Sequence, residues 1–184
     1  NIWKSAEWRG IFAHATGSGK TITAIYGAIR IYDAFKKLFL IIAVPYQNLA
    51  DQWVSILKDF NIRPIQCYEN VNQWSSSLSE YITLYQTGSI SFACIVVVNK
   101  TMQSDIFQSL LKQIPGDHLL FIADECHHHG TQNLTTSLPQ QAKLRLGLSA
   151  TPEHYINKEA NNRLTDYYGN VIDSYGLEQA LKDG

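Results

Sequence analysis

Five short apolar runs set the strongest limit on how this chain folds. The runs are continuous rather than alternating, and they lie at residues 10–15, 38–45, 92–98, 118–124 and 144–150. A continuous apolar run is typical of a strand that is buried on both faces of a parallel sheet. Stretches with a helical apolar stripe separate the runs, at 20–35, 49–60 and 101–114. This alternation predicts βαβ units, and therefore an α/β fold of three layers, α/β/α, around a mainly parallel sheet.

The rest of the chain gives weaker structural signals. Residues 70–90 are polar, and we interpret them as a helix followed by a loop. No linker, repeat or low-complexity segment divides the 184 residues, and a chain of this length can bury a proper core. We therefore expect residues 1–184 to form a single domain.

Composition narrows the class of protein. Hydrophobic residues make up 45% and charged residues 17%, which is ordinary for a globular chain. The longest apolar runs are far too short to cross a bilayer, so we expect no membrane partner. The formal net charge is −1, so any contact with nucleic acid must come from a local surface. The cysteines are three in number and far apart, which indicates a reducing, cytoplasmic location and no disulfide framework: Cys67, Cys94 and Cys126.

A phosphate-binding loop is the first chemical motif. The first apolar run ends in "AHATGSGKT" at 13–21, and a helix follows at once. The glycines let backbone N–H groups approach phosphate oxygens, and the helix N-terminus adds the positive end of its dipole. The lysine would reach the terminal phosphates, and the last threonine would offer its hydroxyl to Mg²⁺. His14 stands where the general pattern has a glycine, which argues against the nucleotide kinases. The predicted nucleotide-binding residues are Thr16, Gly17, Ser18, Gly19, Lys20 and Thr21.

The stretch "FIADECHHHG" at 121–130 is the second chemical motif. Its acids, Asp124 and Glu125, directly follow a buried apolar run. Carboxylates in such a place are costly unless they meet an ion. An enzyme with a phosphate loop uses one acid to hold Mg²⁺ and another to orient or deprotonate the attacking water. We therefore predict that these acids serve a nucleotide-bound Mg²⁺.

The histidines of the same stretch raise the alternative of a zinc-binding interaction module. A structural zinc site needs about four convergent ligands. Cys126, His127, His128 and His129 are consecutive, and adjacent side chains of an extended segment point to opposite sides. At most two of them would then meet one ion. We interpret His128 and His129 instead as part of a polar loop after the strand.

Four motifs in order resemble those of superfamily 2 helicases and translocases. "ATGSGKT" (15–21), "ADECHH" (123–128) and "GLSATP" (147–152) look like motifs I, II and III, and "LIIAVPYQNLADQW" (40–53) looks like motif Ia. The second of these is a DECH variant of the DEAD/DEAH box. "VVVNKTM" (96–102) lies where these proteins carry a loop that contacts nucleic acid. The tail is similar to the segment that closes the first motor domain in the helicase (Res) subunit of type III restriction enzymes.

The resemblance implies a RecA-like P-loop NTPase that uses ATP and Mg²⁺. Its catalytic residues would be Lys20, Asp124 and Glu125, with Glu125 as the base. Mg²⁺ would be held by Thr21 and Asp124. The residues that couple nucleotide state to nucleic acid would be His127, Ser149 and Thr151. Contacts to the nucleic-acid backbone would come from Pro45, Gln47 and Asn99. The partner would be DNA, with RNA as the alternative.

The resemblance also implies a second RecA-like domain, because these motors hydrolyse ATP between two such domains. Residues 1–184 contain one, and "WKSAEWRG" gives no convincing match to the glutamine motif that reads adenine. We therefore expect the ATP-binding half of a helicase or translocase of restriction or repair, nearly inactive by itself. Another phosphate-loop enzyme, such as a nucleotide kinase, and a domain that binds nucleotide without hydrolysing it remain alternatives.

Overall fold

The computed structural model describes residues 2–15, 17–151 and 157–175, which build one parallel sheet of seven strands. The strands are β1 (Arg9–His14), β2 (Leu38–Val44), β3 (Ile65–Cys67), β4 (Phe92–Val98), β5 (Leu119–Asp124), β6 (Leu144–Ser149) and β7 (Val171–Tyr175). Across the sheet they lie in the order β3-β4-β2-β5-β6-β1-β7, and every pairing is parallel.

Helices connect the strands and cover both faces of the sheet. They are α1 (Ile2–Ser5), α2 (Lys20–Phe35), α3 (Gln47–Asp59), α4 (Val71–Gln86), α5 (Asn99–Met102), α6 (Asp105–Leu111), α7 (Gln132–Ser137) and α8 (Lys158–Tyr168). A 3-10 helix, Cys126–Gly130, follows β5. In the part of the chain that the structure describes, no helix has the length and apolar character needed to cross a membrane.

Strand β2 shows why the sheet is the centre of the molecule. All seven of its residues are buried, and their side chains alternate between the two faces. Phe39 and Ile41 join one apolar cluster with α4, α6 and α8, while Leu40 and Ile42 join another with α1, α2 and α3. The two clusters are the two interfaces of an α/β/α sandwich. The predicted three-layer α/β fold is therefore confirmed, with a described sheet that is wholly parallel.

The elements differ from the predicted ones mainly at the sheet edges. Strands β3 and β7 were not foreseen, because a short edge strand needs no continuous apolar run. The helix predicted at 101–114 is divided into α5 and α6, since the Ser104 hydroxyl accepts a hydrogen bond from the Phe107 N–H and begins a new helix. The interpretation of 70–90 as helix and then loop is confirmed, with the helix extending to Gln86.

Parallel pairing brings the carboxyl ends of the strands to one edge of the sheet. Ala13 of β1 pairs with Ser149 of β6, and Asp124 of β5 pairs with Leu148. The phosphate loop, the paired acids and the start of motif III therefore share this edge. This is where open α/β sheets place their ligand sites.

Candidate nucleotide site and the adjoining groove

The loop between β1 and α2 has the backbone of an anion cradle. Gly17 and Gly19 have φ values of 84° and 82°, in the left-handed region that favours glycine. Gly19 is the N-cap of α2 and makes no side-chain cap, so the helix N-terminus presents its N–H groups and positive dipole end to the loop. Thr16 lies outside the described residues.

The Ser18 hydroxyl gives a second sign of a ligand at this loop. Its oxygen is buried, and it has no hydrogen-bond partner among the residues that the structure describes. A buried hydroxyl without a partner costs about 1–3 kcal/mol. A phosphate oxygen at the loop would remove that cost.

Lys20 is held within the same loop. Its side chain is only 9% exposed, and Nζ donates to the backbone oxygens of His14 (2.7 Å) and Ala15 (3.0 Å). Both acceptors are neutral carbonyl oxygens, and the third N–H of Nζ is left for a phosphate oxygen. Thr21, the next residue of α2, is half-buried beside it.

His14, which replaces the first glycine of the general pattern, links the loop to β7. Its Nε2 lies 3.0 Å from Oδ2 of Asp173, and its ring stacks on Phe12 at 5.3 Å between centroids. The imidazole thus fixes the point where β1 becomes the loop. This contact could not be predicted from the sequence, because Asp173 lies on an edge strand that was not foreseen.

Asp124, at the end of β5, has both carboxylate oxygens oriented by donors. Trp53 of α3 donates from Nε1 to Oδ2 at 2.8 Å, and the Glu125 backbone N–H donates to Oδ1 at 3.0 Å. Trp53 is 1% exposed and Asp124 is half-buried, so the donor end of this bond lies in the core. Sequence reasoning assigned Trp53 only to the apolar stripe of α3. Nothing local to it signals a bond to a carboxylate.

Glu125 has a strained backbone and a perturbed carboxyl group. Its φ of 48° is in the left-handed region, which non-glycine residues rarely adopt and which recurs at functional sites. Burial and the neighbouring Asp124 charge raise the pKa of Glu125, while the charge of Lys20 opposes them. A carboxylate that binds a proton more strongly than usual is suited to accept one from water.

The three predicted coupling residues form one chain of contacts that begins at Glu125. Nδ1 of His127 lies 3.4 Å from Oε2 of Glu125 and 3.1 Å from Oγ of Ser149. The same Ser149 oxygen accepts from the Thr151 N–H at 3.2 Å. A change at the Glu125 carboxylate can therefore reach the end of β6 through one imidazole. Pro152, the last residue of motif III, lies outside the described residues.

The histidine stretch does not have the conformation that we expected. It is a 3-10 helix rather than an extended segment, so residues three apart lie on one side of it. Cys126 and His129 share that side and are buried, at 0% and 1% exposure. The interpretation of His129 as part of a polar loop is therefore wrong. Within residues 2–15, 17–151 and 157–175, no group of three or more histidine, cysteine, aspartate or glutamate side chains could hold a metal ion.

A groove of about 660 Å³ opens between the ends of β2 and β4. Pro45 and Gln47, two of the residues predicted to contact nucleic acid, line it, and so do the charged residues Lys100 and Glu69. Tyr46, which is exposed on its wall, packs edge-on against the His128 ring at 5.9 Å. The groove therefore adjoins the turn that follows the acids.

Asn99, the third residue predicted to contact nucleic acid, lies just behind this groove. It is 7% exposed, and its Oδ1 lies 3.0 Å from Nε2 of His129. Its neighbours Val98 and Lys100 line the groove. The contact of Asn99 with nucleic acid stays a prediction, and its observed bond is to the protein.

A second cavity, of about 430 Å³, lies beside α2. Phe12 and Thr23, which bracket the phosphate loop in sequence, both line it, so the cavity adjoins the loop. Its other walls are largely aromatic and include Trp3, Trp8 and Tyr26. Such walls can pack against a flat ring. No motif in the sequence indicates this cavity, although both of its tryptophans lie in "WKSAEWRG".

A comparison with known families agrees with this geometry. The profile of the family described as "Type III restriction enzyme, res subunit" matches residues 1–154. The chain belongs to this Res family. It is therefore a RecA-like domain of the superfamily 2 helicase type, as its motifs predicted.

Curated relatives of this Res-family chain include subunits of type I restriction enzymes. It is 25% identical over 180 residues to the type I restriction enzyme SsaAORF53P endonuclease subunit of Staphylococcus saprophyticus subsp. saprophyticus, covering 95% of this chain and 18% of the relative. It is 26% identical over 176 residues to the SauCOLORF180P endonuclease subunit of Staphylococcus aureus strain COL, covering 93% and 18%. The chain thus spans less than a fifth of the length of these relatives.

Solved structures share the fold of the Res-family chain at low sequence identity. A nuclease-deletion mutant of the Type ISP restriction-modification enzyme LlaGI, in complex with a DNA substrate mimic, matches with a TM-score of 0.69 and 16% identity, over 100% of this chain and 20% of that one. The Pyrococcus furiosus Hef helicase domain matches with a TM-score of 0.67 and 19% identity, over 98% and 38%.

Proposed function

We propose that residues 1–184 are the first RecA-like domain of an ATP-dependent helicase or translocase that acts on DNA in restriction or repair. One observation carries the proposal. The buried Lys20 ammonium, in a loop with two left-handed glycines, lies at the same edge of the sheet as Asp124 and Glu125. This edge of the sheet thus has a cationic loop next to paired acids. Such an arrangement suits a nucleoside triphosphate with bound Mg²⁺.

Each residue of the site has a distinct task in this proposal. Lys20 and the N–H groups at the start of α2 bind phosphate oxygens, and the Ser18 hydroxyl gains a partner there. Thr21 and Asp124 would hold Mg²⁺, with the Asp124 carboxylate oriented by Trp53. The ion would supply charge neutralisation for the transferred phosphoryl group. Glu125 orients the attacking water and accepts its proton.

The aromatic cavity beside α2 is suited to the nucleotide base. It adjoins the phosphate loop at Phe12 and Thr23, and its tryptophans offer flat apolar surfaces to a purine. Asp173 at its edge offers a carboxylate acceptor for an amino group. In this proposal the base is recognised without the glutamine motif.

Coupling to nucleic acid follows from the contacts of Glu125. The path through His127 to Ser149 and Thr151 is short, and it begins at the carboxylate that senses the terminal phosphate. The groove lined by Pro45, Gln47 and Lys100 opens beside the same turn and is the proposed surface for the DNA backbone. The LlaGI structure with a DNA substrate mimic and a Sulfolobus solfataricus SWI2/SNF2 ATPase core in complex with dsDNA support this proposal through their shared fold.

A second RecA-like domain completes the proposed active site. An arginine supplied from across the cleft stabilises the transition state of related phosphate-loop enzymes by about 10³–10⁵ in rate. The curated relatives are long enough to contain such a second domain, since this chain covers 18% of each.

Replacing Lys20 with alanine tests the nucleotide site directly. The lysine makes charge-assisted bonds to phosphate, so its loss costs about 1.5–3 kcal/mol, or about ten- to a hundredfold in ATP affinity. Calorimetric titration with ATP and Mg²⁺ measures the change. Lys58→Ala, at an exposed position of α3, is the matched control and should bind as the parent does. Unchanged affinity in Lys20→Ala would refute the phosphate-loop assignment.

A further inference from the structure

His129 connects three parts of the fold through a single buried ring. Its Nδ1 lies 2.6 Å from the Tyr168 hydroxyl of α8, and its Nε2 lies 3.0 Å from Oδ1 of Asn99, the first residue of α5. The ring also stacks on Phe121 of β5, with 6.1 Å between centroids. Neither the site described above nor the predicted coupling residues include this histidine.

The hydrogen bonds of the ring have a defined direction. An amide oxygen only accepts, so the bond to Asn99 requires the proton on Nε2 of His129. Burial lowers the pKa of His129 to about 3, so the ring is neutral at physiological pH and Nδ1 is an acceptor. Burial raises the pKa of Tyr168, which keeps its hydroxyl proton and donates it to Nδ1. The chain of donors therefore runs from Tyr168 through His129 to Asn99.

The same five-residue 3-10 helix that carries His129 also carries the coupling histidine. The helix begins after the strained Glu125, and His127 contacts the Glu125 carboxylate. Its last residue is held by α8, because Arg163 donates to the Gly130 carbonyl at 2.8 Å. Because Gly130 is held in place, a movement of Glu125 would have to be taken up by the side chains of the residues between them.

Asn99 passes this restraint to the groove. Its backbone oxygen accepts two hydrogen bonds from Gln103, one from the backbone N–H at 3.3 Å and one from the side-chain Nε2 at 3.1 Å. The side chain of Asn99 is thus bonded to His129, and its backbone oxygen is bonded to the residue that follows α5. Lys100 and Thr101 follow immediately and line the groove. A shift of His129 would therefore move the wall to which the DNA backbone is proposed to bind.

We propose that His129 is a positioning residue that couples nucleotide state to DNA affinity by carrying the conformation of the turn after Glu125 to Asn99 and the α5 wall of the groove. This inference rests on the proposed function. It defines a path from the acids to the nucleic-acid surface that is separate from the path through His127 to Ser149.

Two amide substitutions divide the bonds of the ring between them. In His129→Gln the side-chain amide reaches the position of Nε2, so it keeps the donor to Asn99 and loses the contact with Tyr168. In His129→Asn the shorter amide reaches the position of Nδ1, so it keeps the contact with Tyr168 and loses the donor. Both variants give up one buried hydrogen bond, so thermal denaturation should show similar losses of stability.

The experiment uses the natural polypeptide that contains residues 1–184. The dissociation constant for a short fluorescein-labelled DNA duplex is measured by anisotropy, with and without Mg²⁺ and a non-hydrolysable ATP analogue. The ratio of the two constants is the coupling factor, which is typically about 5–150 for coupled sites. We expect His129→Gln and Tyr168→Phe to keep the parent ratio within about twofold, and His129→Asn to bring it close to one.

Specific results would overturn the inference. A parent-like ratio in His129→Asn would show that the bond to Asn99 carries no coupling. Equal loss in the glutamine and asparagine variants would show that the ring has only a structural role. A parent ratio of one, in protein that binds both ligands, would remove this inference and leave the ATP site standing. Failure of the parent to bind ATP would remove the proposed function as well.

Discussion

Replacing Trp53 with phenylalanine would release one oxygen of Asp124 while keeping an aromatic ring in the core. The bond that is lost runs 2.8 Å from the indole N–H to the carboxylate, at a residue that is 1% exposed. Hydrogen bonds to charged groups contribute about 1.5–3 kcal/mol. We expect the free energy of unfolding to fall by that amount, in addition to the cost of the smaller ring.

The same change should reach the chemistry through the geometry of the carboxylate. With Trp53 removed, the Glu125 N–H is the one donor to Asp124 that remains among the described residues. Fixing one side chain again on metal binding costs about 0.5–1.5 kcal/mol. This corresponds to about a two- to tenfold rise in the Mg²⁺ concentration that gives half-maximal ATP hydrolysis.

Urea titration and a Mg²⁺ titration of phosphate release, both on the natural polypeptide, measure the two effects. Phe107→Leu is the control, because Phe107 is also 1% exposed but packs against Trp74 in the other core cluster. It should lose stability through the smaller side chain alone and keep the parent Mg²⁺ requirement. If Trp53→Phe lost no more stability than this control and needed no more Mg²⁺, the proposed role of Trp53 would be refuted.

Four further outcomes test the site. Glu125→Gln should bind ATP but turn over about 10²–10⁴-fold more slowly, because glutamine cannot accept the proton; phosphate release at the parent rate would identify another base. Because burial raises the pKa of Glu125 above its ordinary value of 4.5, the stability given by its protonated form is present below that pH and is lost as the pH rises through the raised pKa. The melting temperature of Glu125→Gln should therefore increasingly exceed that of the parent with rising pH, and a constant difference would contradict the shift. The double variant Ser149→Ala with Thr151→Ala should hydrolyse ATP but translocate a shorter distance per ATP, and an unchanged distance per ATP would show that the coupling role is wrong. Residues 1–184 by themselves should release phosphate barely, with or without DNA, and turnover of several per second stimulated by DNA would contradict the need for a second domain.

The layered fold and the phosphate loop could be predicted because their causes are local. Each central strand must be apolar along its whole length to be buried on both faces, so it can be identified from its own residues. Gly17 and Gly19 adopt backbone angles that favour glycine, and the helix that follows them starts at Lys20. Asp124 and Glu125 stand at the end of an apolar run, where a charge needs an ion. These features lie within a few consecutive residues.

The partners of those residues depend on contacts between distant parts of the chain. Trp53 reaches Asp124 across 71 positions, and His129 reaches Tyr168 across 39. In the sequence Trp53 is one apolar residue of a helix, and His129 is one of three consecutive histidines. Whether a histidine after the acids faces solvent or the core depends on the 3-10 geometry of its turn and on the helix that packs over it.

Sequence alone therefore determined the parallel sheet, the glycine loop before α2 and the position of the acids at a strand end, because strand burial, glycine backbone angles and charge at a strand end are each set by neighbouring residues. Tertiary structure decided how the acids are oriented and how their turn connects to the groove. The physical reason is that a hydrogen bond depends on where two side chains lie in space, and for Trp53 and His129 the packing of α3, α5 and α8 against the sheet sets that position.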